Sequence, residues 1–197
     1  MGYSLSWAAL KGGNLQTACT ALGLRATGKR EEIAKSKIVG AQQPTGWYLV
    51  MFNRTEIRDR TLEKLSQPGE VVCCFVEDHV MFSSTSAWKK GQKVWHVAHN
   101  GEEDRVLHLE TSGDLPAEFE SIRNRVFAKQ EEETAEHDEF KVDHVYELPA
   151  ELAKKLTGFR HDEPTPGLTG EVFEILERKS VLEKLFGHFG RRNTSAA

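Results

Sequence analysis

From Tyr3 to Ala8 the chain alternates Tyr3, Leu5 and Trp7 with Ser4, Ser6 and Ala8, the period of two expected of a half-buried strand. Gly12 and Gly13 follow. Asn14 is placed to cap a short helix, NLQTACTAL, which Gly23 can close in the left-handed conformation that glycine adopts at low steric cost. The next stretch, RATGKREEIAKSKIVGAQQPTG, is polar and punctuated by glycine, and reads as a long surface excursion. Apolar patterning returns in GWYLVMFN, Gly46 to Asn53, a strand. DRTLEKLSQPG then reads as a short helix stopped by Pro68 and Gly69.

The unbroken apolar run Val71 to Val76 predicts a central strand covered on both faces, followed by an antiparallel meander with turns at Lys89 to Gln92 and Asn100 to Asp104. After Pro116, a stripe of Phe119, Ile122, Val126 and Phe127 marks an amphipathic helix lying on that sheet. DHVYELPAELAKKL reads as a short extended segment and then a helix with Pro149 in its first turn. Gly158 can end that helix, Phe159 can supply the apolar contact that follows such a cap, and Pro164 and Pro166 prevent continuation.

The last element, GEVFEILERKSVLEKLFGHFG, aligns Val172, Ile175, Leu176, Leu182, Leu185, Phe186 and Phe189 at helical spacing. It is expected to be a helix that closes the core, with a partner-binding or membrane-surface helix as the alternative. These elements define an α+β fold class: a mostly antiparallel central sheet of five or six strands, with helices packed on it and a C-terminal amphipathic helix. Residues 1–190 read as a single α+β domain and 191–197 as a flexible tail.

With 39% hydrophobic and 28% charged residues over 197 positions, the composition is that of a folding chain rather than a disordered one. No basic segment leads into an apolar one at the N-terminus, and no apolar run approaches the roughly 18 residues of a membrane span. A soluble, cytoplasmic protein without a membrane span is therefore expected. Cys73 and Cys74 are adjacent and would point to opposite faces of a strand, so they and Cys19 are expected to be reduced. Trp47 and Trp95 are expected in the core and Trp88, beside a Lys-Lys-Gly turn, half exposed. A net charge of -4 argues against a broad basic face for nucleic acid.

Charge is unevenly spread. Lys129 to Asp143 is strongly acidic, whereas the chain is basic from Arg178 onward. The acidic run is either a solvated helix end or a surface for a basic protein partner. Glu131, Glu132, Glu133, Glu136 and Asp138 are its candidate binding residues. Arg160, His161, Asp162 and Glu163, between Gly158 and Pro164, are either ordinary loop residues or part of the same recognition surface, since binding groups concentrate on such loops.

Eight histidines raise the question of metal. His96 and His99 lie three apart on a strand and face opposite ways. A symmetric turn after Asn100 would set His96 across from His108 with Glu110 diagonal to it, two imidazoles and a carboxylate that could bind a divalent ion. The alternative is a plain cross-strand histidine contact that titrates near neutrality. His137, Asp138, Glu139, Asp143 and His144 form a second such group, or simply a solvated helix end. There is no G-x-G-x-x-G, G-x-S-x-G, C-x-x-C or H-E-x-x-H. No catalytic residue and no cofactor are assigned, which weighs against an enzyme.

Four segments, GWYLV, CCFVEDHVMFSS, AWKKGQKVWHVAHNG and LTGFRHDE, together resemble a pattern in small uncharacterised bacterial proteins. The W-x-x-G-x-x-V-W-x-V-x-H meander is similar to segments of proteins discussed as immunity proteins of secreted toxins. The resemblance covers about the central third of the chain, its motifs are structural, and it transfers no functional residue. It implies a non-catalytic protein-binding module of bacterial type that neutralises a toxin or regulates a partner. An enzyme, or a small-molecule or metal-binding protein with a His/carboxylate site, is the alternative. The oligomeric state is left open.

Overall fold

Trp7, Ala8 and Ala9 are completely buried, because the strand that carries them is central rather than half exposed. In the computed structural model, which describes residues 2–102, 107–136 and 142–180, this strand, β1 (Ser4–Lys11), lies between two antiparallel neighbours. They are β4 (Trp47–Asn53) and β5 (Glu70–Glu77). Leu5, Trp7 and Ala9 face one apolar layer, and Ala8 and Leu10 face another. The run Val71 to Val76 is likewise covered on both sides, with Cys73 in one layer and Cys74 in the other. All three cysteines are free and buried.

Around this centre the described residues form a sheet of nine strands in the order β2 (Leu24–Glu31), β9 (Phe173–Arg178), β3 (Ile38–Gln42), β4, β1, β5, β6 (Phe82–Lys89), β7 (Gln92–Asn100) and β8 (Glu110–Gly113), every described pairing antiparallel. The meander is β6 (Phe82–Lys89), β7 (Gln92–Asn100) and β8 (Glu110–Gly113). Three strands lie where none was expected. The polar stretch after Gly23 holds β2 (Leu24–Glu31) and β3 (Ile38–Gln42) rather than a surface excursion. β2 is an outermost strand with only Leu24 buried, so its polar residues face water and leave no alternation to read.

The segment expected to open a C-terminal helix is instead β9 (Phe173–Arg178), inserted between β2 and β3. Its Leu and Glu residues have helical preference, but local preference is weak against tertiary pairing on two edges. The remainder of the proposed helix, from residue 181, and the proposed tail 191–197 lie outside the described residues.

Helices cover both faces. On one, α1 (Leu15–Leu22) and α2 (Asp59–Leu65) pack over Ala8, Leu10, Val50 and Val71. Asn14 caps α1 reciprocally with Thr17, and Gly23 ends it at φ 65°, as the local sequence predicts. On the other face, α3 (Phe119–Glu136) and α4 (Leu148–Thr157) bury Phe119, Ile122, Val126, Leu148 and Leu152 against Trp7, Leu49 and Val97. A short 3-10 turn, Val145–Glu147, precedes α4 in place of the expected extended segment. Trp47 and Trp95 are core residues; so is Trp88, at 6% exposure. Its indole N–H donates to Ser86 Oγ at 3.0 Å and Lys93 lies over its ring, so the Lys-Lys-Gly turn does not expose it. Among the described residues no helix is long and apolar enough to cross a membrane.

Candidate functional site

The loop after α4 is fixed by what precedes it. Gly158 adopts φ 82° and its N–H returns to the Lys154 carbonyl at 2.7 Å, a left-handed cap that turns the chain back on the helix. Phe159 is thereby driven into the core, edge-on to Trp7 with ring centroids 5.1 Å apart. Arg160 then reaches back along α4 to pair with Glu147 at the helix start, and its fork closes on Asp162 through Nε at 2.7 Å and an Nη at 3.0 Å. Lys154 and Glu163 add a bridge at 2.5 Å.

These side chains are therefore a clamp more than a displayed patch. The Arg160 side chain is only 11% exposed. Burial would raise the Asp162 pKa, but the Arg160 hydrogen bonds and charge hold it below the usual carboxylate value. Glu147 goes the other way: burial pushes its pKa up further than Arg160 pulls it down. His161 is buried with its ring edge-on to Tyr3 at 4.7 Å, and burial lowers its pKa, so it is neutral at neutral pH. Its Nδ1 is sealed from solvent without a hydrogen-bond partner.

The clamp forms one wall of a cleft of about 410 Å³ whose other walls include Tyr3, Asp78, Met81, Val142, Asp143 and Tyr146. Asp78 is fully engaged, accepting from the Tyr146 hydroxyl at 2.5 Å and from the Tyr3 backbone N–H at 2.5 Å. Burial, together with that carboxylate, raises the Tyr146 pKa and keeps the phenol protonated as a donor. Asp143 accepts from the Tyr146 N–H at 3.0 Å and from His99 Nε2 at 2.7 Å. Four carboxylates, those of Asp78, Asp143, Glu147 and Asp162, and one guanidinium, that of Arg160, thus line the cleft.

The cleft lies at the end of the sheet where β1 and β6 begin and β5 and β7 end. That end is also where apolar surface is exposed. Among the described residues the exposed large hydrophobics are Tyr3, Ile33, Val80, Leu107 and Val142. Tyr3 and Val142 line the cleft, and Tyr3 and Ile33 line an adjoining hollow of about 340 Å³ that also reaches His161 and Phe173. Val80 sits in the β5–β6 turn and Leu107 in the β7–β8 connection, on the same rim.

The acidic run is partly visible. Glu131 and Glu132 are exposed on the last turns of α3, and Glu133 is half-buried with its carboxylate 4.0 Å from His144 Nε2. Glu136 ends the helix, and Asp138, with His137 and Glu139, lies outside the described residues.

The proposed metal set does not assemble. Ser112, not His108, is opposite His96, and Ala98 is opposite Glu110. β8 pairs with β7 only from Glu110 onward, and His108, just before it, is buried. Its carbonyl accepts from His99 Nδ1 at 2.7 Å and its ring Nδ1 accepts from the Asn100 N–H at 3.3 Å. His108 comes within 3.8 Å of Glu110 but its imidazole partner is His99, at 6.1 Å between centroids, rather than His96. Among the described residues, no three His, Cys, Asp or Glu side chains are grouped to hold a metal ion.

No local pattern in the sequence marks Tyr3, Asp78, His99 and Tyr146 as one site. Their contacts span 75, 44 and 68 positions of chain. The chain matches no family model, no curated protein and no solved structure with which it was compared.

Proposed function

We propose that the protein is a non-catalytic binding module whose recognition surface is the end of the sheet around the Tyr3–Tyr146 cleft. The observation that carries this is that Tyr3 and Val142, both exposed, line a cleft in which carboxylates outnumber cations, with exposed Ile33 in the adjoining hollow. Contiguous exposed apolar surface rimmed by charge is characteristic of protein-binding sites. The excess of carboxylates favours a cationic partner, and Glu131 and Glu132 extend the negative potential over α3. The ligand that fits is a basic protein segment presenting an aliphatic or aromatic side chain beside Lys or Arg. Toxin neutralisation, or regulation of a partner inside a bacterial cytoplasm, would use such a surface.

A His/carboxylate catalytic site has less behind it. The carboxylates of the cleft already accept hydrogen bonds from Arg160, Tyr146, His99 and a backbone N–H, and no nucleophile motif accompanies them in the sequence.

Selection from a random peptide display library tests the reading. The intact chain should enrich a consensus of Lys or Arg next to a large apolar residue, and Tyr3→Ser with Val142→Ser should abolish that enrichment. A consensus indifferent to those two substitutions, or no consensus, would overturn it.

A further inference from the structure

On the opposite face of the sheet, between α1, α2 and the ends of β4 and β9, lies a second concavity of about 430 Å³. Its electrostatics are inverted. Arg58, Arg60, Lys64 and Arg178 line it against a single carboxylate, Glu56, in a chain whose net charge is -4. Its floor is apolar, built from Leu22, Leu24, Phe52 and Ile57, the last three at most 6% exposed.

None of these four cations has a carboxylate within ion-pair distance among the described residues, whereas Arg25, Arg30, Arg123, Arg125 and Arg160 each engage one. Solitary surface cations are ordinary. Three guanidinium groups and an ammonium around one apolar hollow, against the single carboxylate of Glu56 among the described lining residues, give it a positive potential that favours an anion from solvent.

From this arrangement we infer that the hollow binds a small phosphorylated molecule carrying an apolar or planar group, a nucleotide being the representative chemistry. A lone carboxylate would neutralise one of the four cations, whereas a phosphate or diphosphate matches several at once and suits the guanidinium fork. The volume lies in the range of small-molecule sites and is far too small for a macromolecule to enter. The hydroxyl of Thr61 on the same wall adds a donor for a phosphate oxygen. The site is separate from the acidic cleft, which packs against the other apolar layer.

Calorimetric titration of the full chain with ADP, pyrophosphate, inorganic phosphate and adenosine tests the assignment. ADP is expected to bind at least about tenfold more tightly than pyrophosphate, because only ADP covers the apolar floor, and adenosine is expected not to bind. Arg58→Gln with Arg60→Gln should weaken ADP about tenfold or more, while the urea midpoint stays at the wild-type value, since both side chains are exposed and unpaired. ADP affinity unchanged in that double variant would overturn the proposal. So would failure of every phosphate probe to bind below about 1 mM, or an RNA oligonucleotide that displaces ADP and binds both proteins alike.

Discussion

The imidazole of His99 bridges two acceptors: Nε2 lies 2.7 Å from Asp143 Oδ2 and Nδ1 lies 2.7 Å from the His108 carbonyl. A neutral imidazole has one N–H and cannot serve both. His99 is therefore held as the imidazolium, almost fully buried at 1% exposure, and ties the β7–β8 connection to the segment leading into the Tyr146 turn. Burial opposes the charge, but the bonds to Asp143 and the His108 carbonyl outweigh it, and the pKa is raised above 6.5.

The sign of the pH dependence follows. A folded-state pKa above the unfolded value makes the pair's contribution fully present below about pH 6.5 and lost as pH rises through the folded value. Nearby His108, His144 and Glu110 share the region, so the test is a difference between variants. His99→Gln should cost about 3–5 kcal/mol in slightly acidic buffer, the cost of breaking a buried pair, and the gap to wild type should narrow toward alkaline pH. Urea midpoints across that range measure it. A gap that widens with pH would contradict the assignment.

Arg160 joins the two ends of α4 through Glu147 and Asp162. Arg160→Ala should destabilise by about 1–3 kcal/mol, since Glu147 and Asp162 lose their counter-charge but are about one-third exposed and can be hydrated. Arg160→Lys should recover only part, because an ammonium cannot reproduce the fork. Denaturant unfolding of both variants checks the order. Equal midpoints for wild type and Arg160→Ala would show the clamp to be dispensable.

Legibility tracks sequence distance. The α1 cap at Asn14, its end at Gly23 and the Gly158 turn are settled within a few residues, and each is readable from composition at those positions. β5 is readable because a strand buried on both faces is continuously apolar. β2, β3 and β9 are not, because an outermost strand can be polar and β9 gains its identity only by inserting between two distant partners. The loop at Arg160 was recognisable as a site for charged groups, yet its role as a clamp depends on Glu147, and the cleft it borders depends on Tyr3 and Asp78.

Gly40 in β3 faces the Tyr48 ring; a Cβ at Gly40 would land on the Tyr48 hydroxyl, which is itself buried without a hydrogen-bond partner. Gly40→Ala should therefore cost about 1–3 kcal/mol from overpacking. Tyr48→Phe should stabilise by about 1 kcal/mol by removing an unsatisfied group. Because it also opens the space that the new methyl needs, the double variant should be less destabilised than the sum of the singles. Additive thermal unfolding data would contradict the steric account.

Glu131 and Glu132 are exposed on α3. Reversing both to Lys should slow association with a cationic peptide several-fold in low salt and much less at about 0.5 M, where charges are screened within a few ångströms. Stopped-flow measurement at two ionic strengths separates this from a folding defect. Unchanged rates would confine recognition to the cleft.

The central claim is that recognition occurs at the Tyr3–Tyr146 end of the sheet, and amide chemical-shift mapping of the labelled protein with a selected basic-apolar peptide tests it most directly. Perturbations are expected to concentrate at Tyr3, Val80, Val142, Tyr146 and Arg160–Glu163. Perturbations centred instead on α1 and α2, or scattered without focus, would contradict it.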